Sequence, residues 1–138
     1  MDRNGRVMNN SVEIKNLQPL VIAMVGDSVH TLFVRERLAV ANKYKVNTLS
    51  KEVAKRVNAG SQCKMFFAVE KCLTEEEMEI AKRARNTHIH SKAKNYSATE
   101  YIHATAFESV LGYLYLTKQF DRLNEILEIG EQDYANRG

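Results

Sequence analysis

Three observations predict an all-α fold for this chain. Only six glycines and one proline, Pro19, interrupt its 138 residues. Long stretches rich in Ala, Leu, Glu and Lys, all strong helix formers, lie between short breaks. Where apolar residues are spaced out, they recur every four positions, as at Leu49, Val53 and Val57, instead of alternating as a half-buried strand would. The length suits one domain with a real core, and no repeat or linker divides it.

The elements follow in order. Residues 1–12 are polar and rich in Asn and are expected to lack order; residues 13–138 make the domain. Pro19 suits a first helical turn, where its missing N–H costs nothing, and the helix it opens runs to about Ala41. After the break NKYKVN, the segment TLSKEVAKRVN carries the Leu49, Val53, Val57 ladder. Gly60 and Ser61 punctuate, and SQCKMFFAVEKCL follows as a buried helix. Thr74 with Glu77 makes a capping box, and Leu73 with Met78 can form the hydrophobic staple. That helix ends around Asn86. The stretch from Thr87 to Tyr96 has no apolar periodicity and reads as a loop. Ser97 with Glu100 forms a second capping box, opening a helix that runs to about Thr117. A last amphipathic helix, from near Asp121 to Tyr134, aligns Leu123, Ile126, Leu127 and Ile129. The sum is a bundle of six or seven helices, with the aromatic residues of MFF and GYLYL read as core.

Composition removes several function classes. Two cysteines, Cys63 and Cys72, are too few for a disulfide scaffold and read as reduced core thiols. No apolar run reaches the ~18 residues of a membrane span, and the N-terminus lacks a secretory apolar region. The expected location is therefore cytoplasmic. The net charge of +3 hides an asymmetry: Arg35 to Lys94 holds 14 Lys/Arg against 7 Asp/Glu, whereas Asn95 to the end holds 3 against 7. A basic middle is a candidate surface for a polyanion, although many soluble domains are as uneven.

Two acids sit where acids do not belong. Asp27 interrupts PLVIAMVGDSVHTLFV and Glu108 interrupts ATAFESVLGYLYL, stretches apolar on every side at helical pitch and so expected to be core helices. A carboxylate there loses its hydration at a cost of several kcal/mol unless a cation or donor compensates it. Each helix also carries a glycine, Gly26 beside Asp27 and Gly112 four residues after Glu108. Glycine costs ~1 kcal/mol in a helix, and close crossing of two backbones is the usual compensation. Such a crossing would bring Asp27 and Glu108 together at one cation site. Oxygen ligands without clustered Cys or His favour Mg²⁺ or Mn²⁺. At a basic cleft that ion suits attack of water on a phosphodiester. The competing account pairs each acid with a buried arginine, such as Arg35 or Arg37, or with a hydroxyl.

Weaker candidates surround the pair. His30, one turn after Asp27, is a possible ligand but more simply a satisfied histidine. Ser28 and Thr105 could orient water, though helical hydroxyls commonly bond back to their own backbone. Gln62 is a possible RNA contact or a helix-start residue. Between Glu79 and Glu100 there is no acid, yet Lys82, Arg83, Arg85, Lys92 and Lys94 stand there with His88 and His90. Such a loop follows phosphates without reading bases.

These pieces together resemble the ribonuclease III catalytic domain, and most closely its short form, Mini-ribonuclease III. GDSVHTLFVRERL is similar to the family's signature motif and TAFESVLGYLYL to its second acidic motif; NAGSQCKMF and RARN also match the short form. The resemblance spans roughly Leu17 to Gly130. It implies a homodimeric helical fold whose two active sites line a basic valley for double-stranded RNA. It implies 5′-phosphate and 3′-hydroxyl products, and a role in maturing 23S ribosomal RNA precursors. By motif, Asp27 carries over as the catalytic aspartate and Glu108 as the metal-binding glutamate. Full-length enzymes add glutamates at the positions of Leu20 and Ala23 and an aspartate at Thr105. The short form shares these losses, which point to a cation held largely through water.

The expected function is a Mg²⁺-dependent endoribonuclease, with Mn²⁺ as a possible substitute and no small-molecule cofactor. Asp27 and Glu108 would hold the ion, while Arg83, Arg85, Lys92 and Lys94 grip phosphates. The alternative is a dimeric module that clamps duplex RNA without cutting it. A helical nucleotide hydrolase would usually show clustered His and Asp pairs, which this sequence lacks.

Overall fold

The computed structural model describes residues 11–41, 45–87 and 96–137. Within them the chain forms α1 (Ser11–Lys15), α2 (Pro19–Ala41), α3 (Val46–Arg56), α4 (Ala59–Glu70), α5 (Glu75–Arg85), α6 (Ala98–Leu116) and α7 (Phe120–Ala135), and no strand. The all-α class expected from the sequence is what the chain adopts. The short α1 was not expected. It begins two residues inside the segment read as lacking order, and it earns its place through Ile14, which is 1% exposed in the main core.

Local chemistry sets the boundaries. Both capping boxes form: the Thr74 and Ser97 hydroxyls accept the N–H groups of Glu77 and Glu100, whose carboxylates accept the cap residues' own N–H groups. Asn58 joins two helices, donating to Ala54 and Lys55 carbonyls at the end of α3 and accepting the Ser61 N–H at the start of α4. Gly60 and Ser61 therefore lie inside the first turn of α4, not in a break before it. At the end of α6 the Lys118 and Gln119 N–H groups bond the Tyr115 and Leu114 carbonyls, a Schellman pattern that puts Lys118 at φ 60°.

Helix α6 is the axis of the bundle. Helices α2, α4, α5 and α7 all pack on it, and every residue from Ala104 to Leu114 is buried except the half-buried Glu108. Met65, Phe66, Phe107, Leu111, Tyr113 and Ile126 fill the space between these helices.

Helix α2 departs from expectation. Its sequence is apolar all round, yet the helix lies at the edge of the bundle and leaves Val21, Met24 and Leu32 in solvent on one stripe. Asp27 is exposed and not buried in the core. Two aromatic assignments are corrected as well. Phe66 and Tyr113 are core, but Phe67 and Tyr115 stand 47% and 46% exposed. Likewise Cys63 is a buried free thiol while Cys72 is exposed, so only the first is a core thiol.

Candidate functional site

The site begins with the crossing of α2 and α6. A β-carbon on Gly112 would lie 2.0 Å from the Ile22 carbonyl oxygen, and Gly26 is equally tight against α6. Only glycine lets the two backbones meet there, which is the crossing that the paired glycines suggest. It sets Asp27 and Glu108 side by side, their carboxyl groups within hydrogen-bonding reach of each other. Burial, then the adjacent Asp27, push the Glu108 carboxyl up to about 9, against a smaller opposing pull from Gln62. Two carboxylates this close cannot both ionise comfortably without a cation. Neither acid pairs with an arginine among the described residues; Arg37 bonds Glu128 instead, and Arg35 is exposed.

Both acids line an open cleft of about 490 Å³. Leu20, Ala23 and Thr105 line it too. The three positions at which the sequence resemblance implies additional acids in full-length enzymes thus converge on the same cleft, occupied here by side chains that cannot ionise. Tyr96, Tyr101, Asn58 and Gln62 are among the other residues that line it. Tyr96 and Tyr101 meet edge-on at 6.1 Å. Sequence reasoning missed these two tyrosines, since an aromatic residue next to a basic loop has no spacing signal of its own.

Gln62 and His30 are buried at 3% and 2% exposure. The Gln62 amide nitrogen lies 3.0 Å from His30 Nδ1 and 3.4 Å from Glu108 Oε2. Burial drives the His30 imidazole down to about 4, with Asp27 opposing, so the ring is neutral at physiological pH. Ser28 bonds weakly back to the Met24 carbonyl at 3.5 Å.

The arginines before the basic loop sit elsewhere. Arg83 donates to the Lys15 and Leu17 carbonyls at the α1–α2 junction, and Arg85 reaches Glu70 at 3.5 Å. Neither lines the cleft. Lys92 and Lys94, with His88 and His90, lie outside the described residues.

The cleft, its acids and its helical frame have counterparts. Residues 20–119 match the model of the ribonuclease III domain. This chain belongs to the ribonuclease III family. It is an endoribonuclease by that membership, and its similarity is to the short enzymes of the family. It is 39% identical over 119 residues to a Mini-ribonuclease 3 of Thermoanaerobacter sp. (strain X514), covering 86% of this chain and 84% of that protein. A Mini-ribonuclease 3 of Clostridium tetani is 41% identical over 118 residues, covering 85% of this chain and 78% of the other. A crystal structure of a protein from Fusobacterium nucleatum superposes with a TM-score of 0.79 at 31% identity, over 87% of this chain and 96% of that one. Ribonuclease III enzymes act on double-stranded RNA and generally require a divalent metal, which frames the chemistry open to the Asp27–Glu108 pair.

The residues fit such an ion. Among the described residues there is no group of three or more His, Cys, Asp or Glu that could hold a metal alone. The two neighbouring carboxylates of Asp27 and Glu108 would offer such an ion hard oxygen donors, with water completing the shell. A cation between the two acids would offset the burial and the Asp27 charge that raise the Glu108 carboxyl.

Proposed function

We propose that this chain is a Mg²⁺-dependent endoribonuclease that cuts double-stranded segments of ribosomal RNA precursors, with Asp27 and Glu108 as its metal-holding acids. The observation that carries this reading is the adjacency of the two acids in the cleft, with no arginine paired to either among the described residues. Mn²⁺ would substitute, because two carboxylates and water impose little geometric selection. When bound, the divalent ion supplies a more acidic water and neutralises charge on the phosphodiester.

The protein's own residues do the remaining work. Asp27, exposed in the cleft, would present its carboxylate to the ion. Glu108 completes the oxygen pair from α6. Leu20, Ala23 and Met24 add apolar lining to the cleft, so phosphate and ion would face its polar groups, the two acids and Asn58 among them. Lys92, Lys94 and Arg85 would supply phosphate contacts, while Arg83, tied to the α1–α2 junction, adds charge more than hydrogen bonds. Two copies would assemble through the apolar stripe of α2 and set two clefts along one duplex, each cutting one strand to leave 5′-phosphate and 3′-hydroxyl ends. Such an enzyme would work in the cytoplasm, and no helix among the described residues is long and apolar enough to cross a membrane.

The test is cleavage of a labelled RNA duplex in Mg²⁺ by wild type, Asp27→Asn and Glu108→Gln. Wild-type cutting, abolished in both variants while the fold persists, supports the reading. Duplex that binds equally in EDTA and is never cut, even with Mn²⁺, would replace it with the RNA-clamp alternative. Binding should also weaken steeply with salt, since phosphate contacts release counterions.

A further inference from the structure

One side-chain amide ties the Glu108 carboxylate to a buried imidazole. Gln62 Nε2 carries two N–H donors, and both neighbours of that nitrogen can accept: Glu108 Oε2 at 3.4 Å and His30 Nδ1 at 3.0 Å. With the amide turned over, its carbonyl oxygen would oppose the carboxylate, so one orientation is favoured. His30 is in turn held edge-on to the Phe107 ring, 5.4 Å between centroids at 82°. The backbone beneath Gln62 is fixed as well. Its N–H bonds the Asn58 carbonyl, Asn58 caps Ser61, and Arg137 from the end of α7 donates to the Ser61 hydroxyl and carbonyl, both at 3.0 Å.

We infer that Gln62 is a positioning residue, holding the Glu108 carboxylate against Asp27 through the buried chain His30–Gln62–Glu108. This deepens the nuclease reading and rests on it. The reason for such a device lies in electrostatics. A glutamate has three rotatable bonds, and once Glu108 gives up its proton to act as an oxygen ligand the charge of Asp27 repels it, so an untethered Glu108 would swing away from its partner. Enzymes with more acids spread the burden of holding a cation. Here Leu20, Ala23 and Thr105 contribute no charge, and an error in the Glu108 position has no compensation. Gln62 is too buried, at 3% exposure, to serve mainly as a contact for RNA.

The experiment compares wild type with Gln62→Met, which keeps the volume and removes both donors, and Gln62→Asn, which keeps the amide but falls one methylene short. Duplex cleavage and Mn²⁺ binding by electron paramagnetic resonance are read side by side. Loss of an outer partner of a metal ligand typically costs about 10- to 100-fold. We expect kcat to fall by about that factor, with KM for the duplex within about twofold and the Mn²⁺ Kd raised about tenfold. Excess Mn²⁺ should restore part of the rate in both variants but none in Asp27→Asn, a rescue that a generally loosened fold would not show. The Asn variant keeps the question answerable if the Met variant does not fold. Folded variants with kcat and Mn²⁺ affinity like wild type overturn the inference, as does a raised KM with kcat kept, which would make Gln62 a substrate contact. A wild type that neither binds Mn²⁺ nor cuts duplex defeats the nuclease reading itself and the inference with it.

Discussion

Gly26 meets the backbone carbonyl of Glu108 so closely that a β-carbon on the glycine would lie 1.7 Å from the oxygen. One contact thus decides both the packing of α2 on α6 and the distance between the two candidate acids. The obstacle is backbone, which cannot rotate aside.

Gly26→Ala is therefore expected to destabilise the fold despite the ~1 kcal/mol that alanine gains in a helix. Overpacking costs ~1–3 kcal/mol where side chains can shift, and rigid backbone puts this site at the top of that range or above it. Gly130→Ala is the control, because its β-carbon would meet only Phe107 and the flexible Met65 at 3.3 Å and beyond. Urea titration should show a large loss for the first and a change within ~1 kcal/mol for the second. A Gly26→Ala protein as stable as wild type would contradict the crossing.

Glu108 makes the metal-free fold pH-sensitive. Its carboxyl stands at about 9 in the native state against an ordinary value of 4.5, so folding takes up a proton between those limits. The contribution of Glu108 to stability is greatest below its unfolded pKa and declines as pH rises toward 9. Glu108→Gln cannot titrate. In EDTA the variant should gain on wild type as pH rises from 5 to 9, read as the difference in melting temperature at each pH. A constant difference would show that Glu108 is not strained.

Glu77 gives the opposite slope. It is 3% exposed, and burial alone would raise its carboxyl. The Arg122 guanidinium, bonded to both oxygens at 2.9 Å, and the Thr74 backbone N–H outweigh burial and hold it below the ordinary range. A depressed folded pKa stabilises above the unfolded value, and that stability is lost as pH falls through the folded one. Glu77→Gln should cost about 1–3 kcal/mol at neutral pH. Its penalty should shrink on acidification below pH 4, as measured by denaturant titration at several pH values.

Lys118 adopts φ 60° to close α6, a conformation that costs a residue with a β-carbon ~1 kcal/mol or more. It is exposed and follows the helix, so nothing in the core depends on its side chain. Lys118→Gly should raise stability by about 0.5–1 kcal/mol, the strain relieved less the entropy glycine adds to the unfolded chain. A melting temperature at or below wild type would refute it.

The apolar stripe of α2 predicts self-association. Val21, Met24 and Leu32, at 41%, 66% and 64% exposure, share one side of the helix. Leu32→Asp and Val21→Asp should shift sedimentation at micromolar concentration from about twice the 15.8 kDa chain mass to the chain mass, with helicity unchanged. A monomeric wild type would remove the dimer from the proposal.

Some of this was readable along the chain. Both capping boxes were legible because the partners lie within four residues and the chemistry needs no tertiary neighbour. The paired glycines announced a crossing because glycine inside an otherwise strong helix has few other reasons. The acids themselves stood out against apolar surroundings, and the motifs around them placed the chain in its family.

Other features depend on which helix lies beside which. The sequences of α2 and α6 are alike in being apolar all round, yet α6 is enclosed by four helices and α2 by fewer. Hydrophobicity measures the wish to be buried, not whether neighbours are available, so the exposure of Asp27 and of the α2 stripe was decided only by packing. The same holds for His30, Gln62 and Glu108, which come from three helices and meet through one amide. Local sequence determined where the two helices with capping boxes start, that α2 and α6 cross closely and which acids are unusual. Tertiary structure alone decided which face stayed open and which side chains hold those acids in place, because both depend on contacts between residues far apart in the chain.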